Sequence, residues 1–153
     1  MKLLLALAAV ALLAGCDSQT DSTETRYAGE LLLNDPSYET LSAPDTVFAG
    51  QSFSVRVYTR AGGCDRQGDV ETQIEGQSAE VRPFDIAVDP GPGRFCNAME
   101  YYFPHRATLM FSEPGVVTLR ATGVSTNSSS PFPIGAPRIS VERRVVVVSR
   151  GRS

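Results

Sequence analysis

The chain has no tryptophan, one histidine and one lysine in 153 residues. The lone histidine, His105, sets the strictest limit. A Ser-His-Asp or Cys-His device has to run through it, and no GxSxG turn accompanies it. A blue-copper site takes two histidines and a cysteine, which this chain cannot supply. The one lysine is Lys2, so beyond residue 15 the charge is 13 arginines against 17 acidic side chains, a net of −4. That weakly acidic balance excludes the basic stripe of a nucleic-acid surface and leaves no polybasic segment for electrostatic membrane attachment. No stretch of ten residues carries the 3.6-residue periodicity of an amphipathic helix.

What is present begins at the amino terminus. After Met1 and Lys2, thirteen residues from Leu3 to Gly15 carry no polar side chain. Such a run makes about 20 Å of helix, short of a bilayer span, and has the charged-then-apolar layout of a secretory signal. Small residues, Ala14 and Gly15, precede Cys16, as a signal protease requires. The tetrad Leu13-Ala14-Gly15-Cys16 resembles the lipobox of bacterial lipoproteins. The resemblance implies cleavage after Gly15 and acylation of Cys16, a lipid partner held by more than one acyl chain and therefore stably. Asp17 resembles the retention signal that keeps some such proteins in the inner membrane, and the domain would face the periplasm.

Residues 1–15 thus read as a signal peptide and residues 16–26 as a lipidated cysteine with a tether. The segment DSQTDSTETR, Asp17 to Arg26, is polar, acidic and too poor in apolar side chains to order itself. With Cys16 acylated, the odd count of three cysteines resolves into the pair Cys64 and Cys96 in an oxidising compartment. A disulfide between them is expected; a free or metal-binding pair is the alternative.

Residues 27–153 suit one domain. Phe53 to Arg60 alternates apolar and polar, the period of a half-buried strand. Phe84, Ile86 and Val88 alternate too, with Pro83 breaking phase with Val81, which predicts an edge or a bulge. Met99 to Phe103 and Ala107 to Phe111 read as strand segments interrupted by Pro104. Val117, Leu119 and Ala121 share a face, and a terminal strand is expected over Ile139 to Val148, its Arg143 and Arg144 tolerated at a sheet edge. About seven short strands between Gly/Pro turns predict an all-β, antiparallel sandwich. The stretches APDTVFAGQSFSVRV and EPGVVTLRATG resemble bacterial immunoglobulin-like domains. The tryptophan and the strand-to-strand disulfide of that fold are missing, so Cys64 and Cys96 are expected to meet at one end instead.

The chemical candidates are sparse, and no cofactor is indicated. His105, between Pro104 and Arg106, reads as a surface or turn residue. A Met/His copper site from Met99, His105 and Met110 is the metal alternative, against a default in which strand methionines fill the core. Asp65, Asp69 and Glu71 lack EF-hand spacing, and Gly91 to Arg94 reads as a rigid turn. Glu71, Glu100 and Glu113 are the carboxylates an envelope hydrolase would have to use. Tyr102, expected on the face opposite Tyr101 and Phe103, is the candidate anchor for an envelope protein or polymer, with Arg94 and Arg106 nearby. The sequence therefore points to a non-enzymatic binding or assembly module.

Overall fold

The structure is a computed structural model that describes residues 23–125 and 136–150. The expected cleavage after Gly15, the acylation site Cys16 and residues 16–22 of the expected tether lie outside the described residues, whereas its residues 24–26 are ordered in a strand. Ten strands occur among them, and no helix: β1 (Glu24–Ala28), β2 (Glu30–Leu31), β3 (Leu41–Ser42), β4 (Thr46–Phe48), β5 (Phe53–Ala61), β6 (Arg66–Glu75), β7 (Ser78–Val88), β8 (Tyr101–Leu109), β9 (Gly115–Val124) and β10 (Arg138–Val148).

The strands form one hydrogen-bonded network with two arms. One arm runs β6–β7–β9–β10–β4, and β1 continues beside β7. The other centres on β5, paired with β8 along its length and with β2 and β3 on its far side. At Glu30 the short β2 touches both β5 and β9, joining the arms. The sheet is mixed rather than purely antiparallel: β4–β10, β2–β9 and β7–β9 run parallel. Parallel neighbours need a crossover. For β7 and β9 the chain between them provides it, leaving for β8 in the other arm before it returns as β9.

The core follows from the alternation. Val55 and Val57 of β5, Val117, Leu119 and Ala121 of β9 and Val145 of β10 are fully buried and belong to one apolar cluster with Leu109 of β8 and Val81 of β7. Each such valine or leucine contributes about 1.5–3 kcal/mol through burial. The two arms therefore enclose a single core.

Three local expectations are corrected. Pro83 does not end β7. The buried phase of Ala79 and Val81 continues through Pro83, Asp85 and Ala87, which turns Phe84, Ile86 and Val88 to the other face. Arg26 lies over the Phe84 ring at 3.3 Å, and the irregularity sits in β6, between Gln67 and Val70. Nor does Pro104 divide β8. It faces Tyr58, whose N–H and C=O both point away from β8, to Thr40 and Leu32, so the missing proline N–H deprives the ladder of nothing. Finally, β10 is no simple edge. It pairs with β9 throughout and with β4 over Val146 to Val148. Arg143 points inward where β4 does not reach and is held by Glu39 and by Asp45 at 2.8 Å.

Candidate functional site

The most unusual feature of the interior is polar. His105 projects inward from β8 and Asp85 inward from β7, so they meet between the two arms. Nε2 of His105 lies 2.9 Å from Oδ1 of Asp85 and 3.0 Å from Oγ1 of Thr59 on β5. Residues Thr59 and Asp85 are 0% exposed and His105 is 1% exposed. His105 is thus a core residue, not the surface or turn residue that its flanking proline and arginine suggest. Its position on β8, two residues before Ala107 and four before Leu109, puts it on the buried face.

The arrangement does not make a relay. In a nucleophile-His-Asp device the two ring nitrogens are used separately, one by the carboxylate and one by the hydroxyl. Here Asp85 and Thr59 share Nε2, while Nδ1 of His105 and Oδ2 of Asp85 have no hydrogen-bond partner among the described residues. With no exposed surface at these three side chains, the cluster links the arms rather than meeting a substrate. Gly29 closes it on one side. A Cβ there would stand 2.5 Å from the Thr59 methyl and 3.0 Å from Asp85 Oδ2, so only glycine fits. Next to it, the Tyr27 hydroxyl donates to Asp65 Oδ2 at 3.0 Å. Burial, reinforced by the charges of Asp65 and Asp85, raises the Tyr27 phenol far above its ordinary range and keeps it protonated.

Beyond this cluster lies the disulfide end. Cys64 and Cys96 are bonded, with a Cα–Cα distance of 5.0 Å, so the expected pair forms in the loops after β5 and before β8. The connection from β7 to β8, residues 89–100, is exposed almost throughout. Asp89 Oδ1 accepts from the Gly91 N–H and the Arg94 N–H donates to the Gly91 carbonyl, so GPGR is a chain of turns. Within it Phe95 is 93% exposed.

The outer face of β5 and β8 gathers the tyrosines. Tyr38 packs on Tyr58 at 4.9 Å and edge-on against Tyr102 at 5.3 Å between ring centroids. The Tyr102 hydroxyl donates to Glu100 at 3.1 Å, and that carboxylate holds its phenol above the ordinary value. Arg60 pairs with Glu30 and with Glu100. Further along the same face Arg56 and Arg106 stand directly opposite each other in the β5–β8 register. Neither guanidinium has a carboxylate partner among the described residues. Arg56 donates only to the Tyr58 hydroxyl, at 3.4 Å, and its Nε is buried without a partner. Like charges opposed across a ladder repel. An arrangement of this kind is satisfied by an anion placed between them.

The candidates read from sequence are distributed accordingly. Tyr102 and Arg106 share the outer β8 face, whereas Arg94 belongs to the disulfide end. Met99 and Met110 are 61% and 52% exposed, not core filler, while His105 is buried. Met110 also lies five residues along the chain from His105, about 16 Å of extended strand, so the three do not form one ligand set. Asp69 and Glu71 clamp Arg26 at 2.8 and 2.7 Å, and the Arg26 bond lowers the Asp69 carboxyl below its usual range. Asp65 is engaged by Tyr27 and by the Gly62 N–H. Among the described residues no cluster of three His, Cys, Asp or Glu side chains could hold a metal. Glu71 faces Arg26, Glu100 faces Arg60 and Tyr102, and Glu113 sits in the turn before β9 at the opposite end, so these carboxylates do not meet. Asp85, Thr59, Tyr38, Tyr58 and Arg56 escaped the sequence reading. Only Tyr58 and Arg56 carried a signal, as polar-face residues of a clean alternation.

Protein-family models, curated proteins and solved structures were all compared with the chain, and none matches it.

Proposed function

We propose that the chain is an envelope lipoprotein, anchored through acylated Cys16 and facing the periplasm, whose β domain is a non-enzymatic binding module. Asp17 favours the inner membrane in this reading. The domain is read as an immunoglobulin-like sandwich, supported by the single aliphatic core between its two arms. The binding surface is the outer face of β5 and β8, and the partner is an envelope protein or polymer that brings an acidic group. One observation carries this: Arg56 and Arg106 are opposed without a carboxylate, beside the Tyr38–Tyr58–Tyr102 cluster. Tyrosine and arginine are the side chains that most often anchor interfaces, since they combine a large apolar area with hydrogen-bonding capacity.

The test is a photo-cross-linker at position 102 in native membranes. A discrete adduct is expected, lost when Arg56 and Arg106 are both changed to Glu and kept when Arg120, on the outer face of β9, is changed to Glu. Adducts that survive the double charge reversal, or turnover of an envelope substrate by the purified protein, would overturn the proposal.

A further inference from the structure

The tether's point of attachment fixes which end of the domain lies against the membrane. The Asp89 N–H donates to the Thr23 carbonyl at 3.0 Å, and Glu24 pairs with Val88. The described chain therefore starts beside the root of the 89–100 loop. Cys16 precedes Thr23 by seven residues, at most about 25 Å of extended chain. The domain is longer than that: the eleven residues of β7 span about 36 Å. The opposite end, where Gly115 pairs with Val147, stands farther from the anchor than the tether can reach along the strands.

The near end is built unlike a surface meant only for water. Phe95 is 93% exposed and Met99 61%, and the Arg94 side chain has no carboxylate partner among the described residues. The loop carrying them is pinned. Cys96, next to Phe95, is bonded to Cys64, and Gly63 approaches so closely that a Cβ there would stand 1.9 Å from the Asn97 carbonyl oxygen. Phe95 is thus held out by a fixed neighbour rather than left to collapse onto the domain. Between this loop and the β5–β6 turn lies an open recess of about 360 Å³ lined by Gly62, Cys64, Asp65, Val88, Asp89 and Cys96.

We infer that the disulfide end is a lipid-facing surface, with Phe95 and Met99 entering the headgroup–acyl boundary and Arg94 reaching a lipid phosphate. An apolar ring and thioether beside a basic side chain are the composition that suits that boundary, and a guanidinium on a long stem reaches phosphate while its neighbours stay among the acyl chains. The surface acts on a bilayer the protein already holds, so this inference rests on acylation of Cys16. The β5–β8 face starts at this end and runs from it toward Phe53 and Leu109, so its outer side is left open to a partner beyond the lipid surface.

Because the chain has no tryptophan, Phe95→Trp supplies a single reporter, and Val116→Trp, at an exposed site of the opposite end, supplies the control. Each full-length protein is purified from membranes and its acyl chains are read by mass spectrometry. It is then reconstituted in phosphatidylethanolamine–phosphatidylglycerol vesicles with or without brominated acyl chains. Expected is a blue-shifted emission for Phe95→Trp, quenched by the brominated chains at least threefold more than that of Val116→Trp. Equal quenching of the two in acylated protein would overturn the inference and leave the lipoprotein reading intact. Protein carrying no acyl chain at Cys16 would overturn both.

Discussion

The interior of this domain has two halves that are held together differently. Toward the β4 and β10 end, Val55, Leu109, Val117, Leu119, Val145 and Val147 make a dry aliphatic core with no polar side chain among them. Toward the disulfide end, the same inward-facing rows deliver Thr59, Asp85 and His105. The first half is bound by non-directional burial, so its strength depends on volume and shape. The second depends on one pair of side chains meeting across the gap, each of which would be a liability alone. Replacing a methylene weakens the first half in proportion. Removing one partner from the second leaves the other buried and unsatisfied.

The largest expected effect separates these two modes. His105→Leu strands the Asp85 carboxyl in the interior and should cost about 3–5 kcal/mol in urea unfolding. Adding Asp85→Leu to it should return most of that loss, since an apolar pair no longer needs a partner. A double variant no more stable than His105→Leu alone would mean that the polar half is held by packing after all. Next in size, Leu119→Ala should cost about 3 kcal/mol through the cavity it leaves. No second truncation nearby should recover that loss, as calorimetry of paired variants would show.

The smallest effect is acid sensitivity of ion pairs on the outer surface. Asp69 is held below its ordinary range chiefly by its bond to Arg26, and Glu80 chiefly by its bond to Arg82. A depressed carboxyl stabilises the fold fully above its unfolded value, about 4, and that contribution is lost as pH falls through the folded value. Their contribution should thus be constant from neutrality to about pH 5 and decline below it. The decline should be modest because these pairs are exposed. Asp69→Asn should flatten part of it, measured by thermal unfolding across pH 2–7.

Much of the apolar half was legible in the sequence, because period-two alternation reports burial directly. Phe53–Arg60 and Val117–Ala121 emerge as strands with the inward residues expected. The pairing of Cys64 with Cys96 was expected once the lipobox resemblance set Cys16 aside. The polar half was not legible, for a physical reason. His105 and Asp85 lie on the inward phase of their strands, but a polar side chain there breaks the alternation and shifts the apparent register onto Phe84, Ile86 and Val88. Only the partner on another strand reveals that the position is core. The parallel pairing of β7 with β9 was equally hidden, since local patterns do not encode which strands become neighbours. The Arg56–Arg106 opposition has the same origin: each residue is an ordinary polar-face arginine until the register brings the two together.

Pro104 has a further consequence at the outer edge of β8. Sheet margins invite foreign strands. A strand laid along this margin would find no amide donor at Pro104 and a carbonyl already taken by the Gln67 side chain at 3.3 Å. The proline thus leaves this margin poorly suited to pairing with a strand of another copy.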